Sequence, residues 1–470
     1  MRKNDADSTQ SGLTAVVQPM TAAAPGGFSL RLFFAYVSLL VLGAGLSAKT
    51  LAANAIKLNP SLLAGPAPSE PVMLGIDVLE ARKFAPLVGK RVGLLTHPAG
   101  VNRRGVRTID VLRRAPGVQL VTLFAVEHGL EGELASEKPF QDSIDARTGL
   151  KVISLYKGRV VKPTWSQLKG IDVLVIDLQD IGTRSYTFTG AMKTVMEACF
   201  ENGKEVMVLD RPNPLGGLKV DGPLLDAALI SDVGRFRVPY VHGLTIGELA
   251  LMVRHAVPPG GLAISDAARA KGKLTVIPMR GWTRSMRWPE TGLTWVKTSG
   301  LIQDLDAVEG YPMTGLGCLL GGFRTGIGKR YPFRGIAHPA VNQVPRAVLE
   351  KEFRALKLPG LRFVSVNVPG DRKDEAVTGI YIEITDYDAW RPTELNFHLM
   401  KLACRLEPRN PFAAATARER RTFNVHVGSA AFLNDLIVKG SAINLEAWLR
   451  TWREHARAFQ ENSRKYWLYR

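Results

Sequence analysis

Three short segments of this chain carry carboxylates, guanidinium groups and aromatic hydroxyls at the points where apolar runs stop. Val118-Gln-Leu-Val-Thr-Leu-Phe124 leads into Glu127, His128 and Gly129. Ile171-Asp-Val-Leu-Val-Ile-Asp177 leads into Gln179, Asp180, Arg184 and Tyr186. Glu205-Val-Met-Val-Leu-Asp210 leads into Arg211 and Asn213. Apolar, β-branched runs of this length read as buried strands, so each polar group sits where a strand gives way to a loop. Carboxyl groups gathered in this way can give and take protons, and a guanidinium fork matches a carboxylate through two parallel hydrogen bonds. In open α/β sheets ligands bind in the crevice beyond the carboxyl ends of the strands. These residues are the first candidates for a site.

The elements that must position them follow a regular order. Leu74-Gly-Ile-Asp-Val-Leu79 leads into a helix-like stretch, and Arg91-Val-Gly-Leu-Leu-Thr96 reads as a strand ending at His97. A short strand over 152–155 stops at Tyr156, and an amphipathic helix runs from about residue 188 to Gly203. Alternating strands and helices predict parallel βαβ units. The fold class is therefore α/β, with a Rossmann-like, doubly wound parallel sheet over residues 72–258. No GxGxxG or GxxxxGK[ST] joins a strand to a helix, and Gly216-Gly217 follows Pro-Asn-Pro, so no bound nucleotide is expected. After His242, Thr245 and Glu248 have capping-box spacing, which gives Glu248 a structural task. Residues 259–470 hold Trp282, Trp288 and Trp295, a glycine-dense stretch over 315–328, strand patterns near 361–368 and 378–384, and a helical tail before Tyr466-Trp-Leu-Tyr469. They predict a smaller α+β C-terminal domain, with a substrate cleft between the two domains.

A chain of 470 residues, 46% hydrophobic, can bury a large core without disulfides. Cys199, Cys318 and Cys404 are odd in number and lack CxxC spacing, which argues against a disulfide framework or a structural zinc site. His97, His128 and His242 show no HxH or HxxxH spacing, and no metal is assigned to them. The 61 basic and 43 acidic residues give a net charge of +18, which suits an anionic surface such as cell-wall polymer or phospholipid headgroups. The basic residues are scattered without aromatic interleaving, which argues against nucleic acid. Arg31 precedes seventeen uncharged residues, Leu32 to Ala48, and Ala53-Asn-Ala55 resembles a cleavage site. Residues 1–55 therefore read as a leader and signal peptide for export to the periplasm or the exterior. An uncleaved N-terminal anchor is the rival reading and the sole membrane attachment expected. The sequence sets no oligomeric state.

Many ordered motifs resemble one family. They include Gly75-Ile-Asp-Val-Leu79, Gly89-Lys-Arg-Val-Gly-Leu-Leu-Thr96, Glu127-His-Gly129, Ser154-Leu-Tyr156, Lys162-Pro-Thr164 and Asp177-Leu-Gln-Asp180 with Gly182, Arg184 and Tyr186-Thr187. They continue through Leu209-Asp-Arg-Pro-Asn-Pro-Leu-Gly-Gly217, His242-Gly-Leu-Thr-Ile-Gly-Glu-Leu-Ala250 and Glu290-Thr-Gly-Leu-Thr-Trp295. The chain is similar over residues 72–470 to the bacterial exo-β-N-acetylmuramidases, glycoside hydrolases long catalogued as a domain of unknown function. The resemblance implies a Rossmann-like domain joined to a C-terminal domain, a site in the cleft between them, and no cofactor. It implies removal of N-acetylmuramic acid (MurNAc) from the non-reducing end of peptidoglycan fragments during cell-wall turnover. Two places depart from the family pattern. Leu301 stands where an asparagine is usual, and residues 320–330 lack both glutamates of the usual segment. That loss makes a non-catalytic or redirected cell-wall glycan binder the alternative. An esterase or amidase is disfavoured because no GxSxG elbow is present.

Glycoside hydrolysis usually needs two carboxyl groups, one to protonate the leaving oxygen and one to stabilise the oxocarbenium-like transition state. Glu127 is the first choice as acid, with His128 beside it; its alternative is a turn cap. Asp177 and Asp180 are the candidate partners, followed by Asp210 and Glu290. Arg184 and Arg211 could hold the lactyl carboxylate of muramic acid, although an internal Asp210–Arg211 pair is equally compatible. Gln179, Asn213 and His242 would hydrogen-bond substrate. Tyr186 and Trp295 would stack on sugar, with core packing the equal reading for Trp295.

Overall fold

The computed structural model describes residues 71–256, 264–338, 346–369 and 376–470, so the expected leader lies outside the described residues. Apolar side chains alternate between the two faces of the central strands. These are β1 (Arg91–Thr96), β2 (Gln119–Ala125), β3 (Ser143–Ile144), β4 (Lys151–Ser154), β5 (Val173–Asp177) and β6 (Glu205–Leu209). On one face Leu95, Phe124, Ile153, Ile176 and Val208 join a core that includes Met192, Val195 and Met196 of the helix Thr187–Glu201. On the other, Leu94, Leu123, Val175 and Leu209 pack with Ile76, Val78, Ile109 and Leu112 from the helices Gly75–Ala81 and Thr108–Arg113. Each large apolar side chain fully withdrawn from water contributes about 1.5–3 kcal/mol, which is why a sheet of this kind is covered on both sides.

After the antiparallel pair β7 (Asp221–Leu224) and β8 (Pro239–Val241), the strand β9 (Lys273–Ile277) completes the main sheet in the order β3-β4-β2-β1-β5-β6-β9. All its pairings are parallel except β3 on β4. β9 lies beyond residue 258, so this sheet draws its last strand from the stretch expected to open the second domain. The helices Ile246–His255 and Asp266–Lys271 connect it to β6 as one more crossover, a repeat that the following tryptophan-rich stretch obscures in sequence.

From β1 the chain builds outward through β2 and β4, then returns to the other side of β1 for β5, β6 and β9. The direction of winding therefore reverses between β1 and β5. Thr96 is level with Asp177 on one side and with Ala125 on the other. His97, Glu127, Gln179 and Asp180, which follow those residues within three positions, thus emerge together at the carboxyl edge. A topological switch point is where a doubly wound sheet leaves a ligand crevice.

The second half is built on an antiparallel sheet of β10 (Arg324–Thr325), β11 (Gly335–Ala337), β12 (Leu361–Pro369) and β13 (Ala376–Ile384), ordered β10-β11-β13-β12. The helices Glu394–Leu406, Ala430–Lys439 and Leu445–Ser463 meet in a cluster of Phe397, Phe432, Trp448 and Trp452.

The C-terminal residues turn back to the first sheet. Tyr469 donates its hydroxyl to Asp210 Oδ2 at 2.6 Å, and the Leu468 N–H donates to Glu248 Oε1 at 2.9 Å. The same Glu248 oxygen accepts from Arg284 at 2.6 Å, and Trp467 lies 3.7 Å from that guanidinium. Burial pushes the Glu248 carboxyl up to about 7, against the opposing pull of Arg284. Its folded value lies above the ordinary 4.5, so its stabilising contribution is full below pH 4.5 and is lost as pH rises through 7. The stability of the wild type relative to Glu248→Gln is expected to fall by about 1–3 kcal/mol across that window. Denaturant unfolding at several pH values measures it; a difference independent of pH refutes the assignment.

Candidate active site

β2 ends in an abrupt turn. His128 and Gly129 take left-handed backbone conformations (φ 74° and 77°), and so does Glu137 (φ 62°). A non-glycine residue held there stores about 1–3 kcal/mol, and such residues gather at functional sites. Both strained residues serve Glu127. His128 follows it directly, its ring Nδ1 held 2.8 Å from the Leu134 carbonyl oxygen. The Glu137 N–H donates to Glu127 Oε1 at 2.8 Å, and the Thr187 hydroxyl, at the start of the helix Thr187–Glu201, donates to Oε2 at 2.8 Å. Burial raises the Tyr156 phenol strongly, with the adjacent Glu127 adding to it, so this hydroxyl stays protonated beside the carboxyl group. Glu127 retains 8% exposure, whereas Asp177 has none. Of the two, Glu127 is the carboxyl that a ligand can reach.

At the switch point the backbone N–H of Gln179 donates to His97 Nε2 at 2.8 Å. Burial holds His97 well below its ordinary value, with Arg211 adding to the effect, so the ring is neutral and its proton sits on Nδ1. That nitrogen is buried without a partner. Gln179 spends its amide nitrogen on the carbonyls of Asp180 and Pro212, leaving Oε1 buried and unpaired. Asp180 Oδ2 accepts from the Gly182 N–H at 2.8 Å and faces His242 Nε2 at 3.4 Å, while Oδ1 is buried and unpaired. The Leu244 N–H donates to His242 Nδ1, which places that ring's proton on Nε2, toward Asp180. Buried polar atoms normally find partners, so this many orphans in neighbouring residues point to groups that a ligand supplies.

An aromatic wall joins the two halves. Tyr186 packs on Phe188 at 4.6 Å and edge-on to Tyr311 at 6.2 Å, and its hydroxyl donates to Thr298. Ser185 bonds to both the Tyr240 and the Tyr311 hydroxyls. Phe333, itself left-handed (φ 62°), supports Tyr311 at 4.9 Å. Burial, with Glu127 and Asp180 adding to it, lifts the Tyr311 phenol to about 12. Both carboxylates thus act on one hydroxyl.

Several residues expected at the site have structural partners instead. Asp177 is fully buried, bound by Arg211 at 2.5 and 2.9 Å and by the Thr108 hydroxyl. Arg211 also donates to the Val101 carbonyl, so its fork is closed to a substrate carboxylate. Arg184 donates to the carbonyls of Pro223, Val238, His426 and Val427, which ties the first half to the second. Asp210 pairs with Tyr469, Thr245, Gly247 and its neighbour's N–H rather than with the Arg211 guanidinium. Asn213 orders its own loop through Leu215 and Leu244, and Glu290 is held by Arg287 in a local cap. Trp295 packs edge-on against Trp288. In the segment that departs from the family pattern, Phe323 and Ile327 are core residues, and residues 320–330 contain no carboxylate.

The sequence did not single out Thr187, Ser185 or Tyr311 as site residues, because each acts through contacts with residues distant in sequence. The short strand ending at Tyr156 was a usable signal, since β4 lies beside β2 and delivers that phenol next to Glu127.

A doubly wound sheet with carboxylates at its switch point, followed by a smaller domain on an antiparallel sheet, defines a Rossmann-like α/β protein, and its similarity to a peptidoglycan β-N-acetylmuramidase makes it a glycosidase. The family models described as the N-terminal and C-terminal parts of the exo-β-N-acetylmuramidase NamZ match residues 92–306 and 310–469. The chain is 33% identical over 402 residues to the peptidoglycan β-N-acetylmuramidase NamZ of Bacillus subtilis, covering 85% of this chain and 91% of that protein. Two crystal structures of DUF1343 family proteins from Bacteroides fragilis share the fold. One has a TM-score of 0.75 at 35% identity, covering 86% of this chain and all of that one. The other has 0.64 at 25% identity, covering 85% and 99%. The chain belongs to the exo-β-N-acetylmuramidase NamZ family.

Proposed function

We propose that this protein is an exo-acting β-N-acetylmuramidase that releases MurNAc from the non-reducing ends of peptidoglycan fragments. The observation that carries the reading is Glu127, which two strained residues, a threonine hydroxyl and a buried tyrosine hold at the mouth of the switch-point crevice. The name of the Bacillus subtilis relative gives the substrate class. In this reading Glu127 protonates the glycosidic oxygen as the bond to C1 breaks. The second carboxylate is Asp180, because Asp177 is consumed by Arg211 and Thr108. Export remains part of the proposal and rests on the apolar run over residues 32–48.

The test is incubation with the disaccharide MurNAc-β-1,4-GlcNAc beside a GlcNAc-capped control, with free sugars resolved by mass spectrometry. Release of MurNAc from the first substrate alone is expected. A folded protein that releases nothing yet binds intact peptidoglycan would favour the redirected binder, the reading motivated by the carboxylate-free segment 320–330.

A further inference from the structure

The orphaned acceptors beside the switch point have a chemistry that a simple acid–base pair leaves unused. Asp180 is 5% exposed, and its Oδ2 is fixed by the Gly182 N–H with the His242 Nε2–H facing it. Oδ1 is left buried with no partner, and the Oε1 of the preceding residue, Gln179, is in the same condition. Asp180 as a whole keeps some exposure at the carboxyl edge of the sheet, and the unmet demand of Oδ1 for a donor suits one hydrogen bond from a group that arrives with the ligand. The surroundings also fit a particular group. Tyr186 and Tyr311 both lie close enough to feel the Asp180 charge, and Phe188 packs against Tyr186. An acceptor-rich floor beside aromatic rings suits an amide N–H that carries a methyl group.

We propose that Asp180 accepts a hydrogen bond from the 2-acetamido N–H of the sugar, and that the substrate's own acetamido oxygen, rather than an enzyme carboxylate, attacks C1. This inference rests on the muramidase reading, because MurNAc supplies the acetamido group. In the first step the Glu127 proton passes to the glycosidic oxygen and the C1–O bond breaks, with its electron pair staying on the leaving sugar. The acetamido oxygen forms a bond to C1 on the opposite face, and the positive charge of the resulting oxazolinium is balanced by the Asp180 carboxylate. In the second step Glu127, now a carboxylate, takes a proton from water as that water attacks C1. The bond from C1 to the acetamido oxygen breaks and the amide is restored. Two inversions give net retention, and the sum is hydrolysis by one water. Substrate-assisted hydrolysis of this kind is a known departure from the two-carboxylate scheme.

The experiment uses 4-nitrophenyl β-MurNAc and its mono-, di- and trifluoroacetamido analogues, with wild-type protein and with Asp180→Asn. NMR records which anomer appears first. The expected result is turnover of the parent, a steep fall in kcat/KM with each added fluorine, and β-MurNAc as the first product. Asp180→Asn should lose about 100- to 1000-fold in kcat while its thermal midpoint holds, since the developing cation loses its counter-charge. If Asp180→Asn does not fold, Asp180→Glu, which keeps the charge but displaces the oxygens, must show the loss. Turnover indifferent to fluorine, or α-MurNAc formed first, overturns the proposal while leaving the glycosidase reading intact. An Asp180 variant with wild-type kinetics removes Asp180 from the mechanism. A folded wild type that leaves the parent uncleaved overturns both readings.

Discussion

Glu127→Gln is expected to lower kcat/KM on MurNAc-β-1,4-GlcNAc by about 10²- to 10⁴-fold, the usual contribution of a positioned general acid. The amide is nearly isosteric and its oxygen still accepts the Glu137 N–H, while the Thr187 hydroxyl can rotate to accept from the new nitrogen. Stability should therefore change little, and the loss should lie in kcat. The leaving group separates an acid from a merely structural residue. An aryl glycoside with a strongly acidic phenol needs little protonation as it departs, so on it the variant's kcat/KM, which reports only the first bond cleavage, should lie much closer to that of the wild type. Equal losses on both substrates would show that Glu127 shapes the site without donating the proton. An undiminished rate on the disaccharide would remove it from the chemistry altogether.

Asp177→Ala is expected to destabilise the fold by about 3–5 kcal/mol, the result of stranding one member of a buried ion pair. Asp177 is fully buried, Arg211 is 3% exposed, and among the described residues Asp177 is the carboxylate hydrogen-bonded to the guanidinium, with Asp77 near enough to feel its charge. Removing the partner leaves that charge without a bonded counter-ion at the base of the crevice. Replacing both residues, as in Asp177→Leu with Arg211→Met, should recover most of the loss, because an apolar pair of similar volume often matches a buried ion pair. Urea midpoints of the two single variants and the double variant measure this. The same set separates the two readings of Asp177. A variant with wild-type stability that turns over no substrate would restore Asp177 as a catalytic group, and a destabilised variant that keeps its kcat would confirm the structural one.

The first-half fold was legible because its signal is local. Runs such as Val92 to Leu95 and Val173 to Ile176 alternate between two buried faces, and a strand covered on both sides must be written as a continuous apolar run. The carboxyl-edge position of Glu127, Gln179 and Asp180 followed from the same runs, since each lies just past the last apolar residue of its strand. β12 and β13 were legible too, as neighbouring nine-residue strands that pair with each other. β9, β10 and β11 were harder to read, because β10 and β11 are two and three residues long and β9 pairs with β6 across an interval that holds β7, β8 and two helices.

By itself the sequence determined the fold class of the first half, the edge of the sheet where chemistry would gather, and the family. Tertiary structure alone decided which charged groups are free to act. Asp177 and Asp180 are three residues apart on one segment, yet Arg211 and Thr108 consume the first while the second keeps an unpaired oxygen. Arg184 and Arg211 look like carboxylate receptors in sequence, but one clasps carbonyls from both halves and the other neutralises a buried aspartate. The reason is that desolvating a charge is costly in free energy unless a partner is supplied. Whether that partner comes from the protein or is left for a ligand depends on which distant strand end, helix start or C-terminal residue packs beside it.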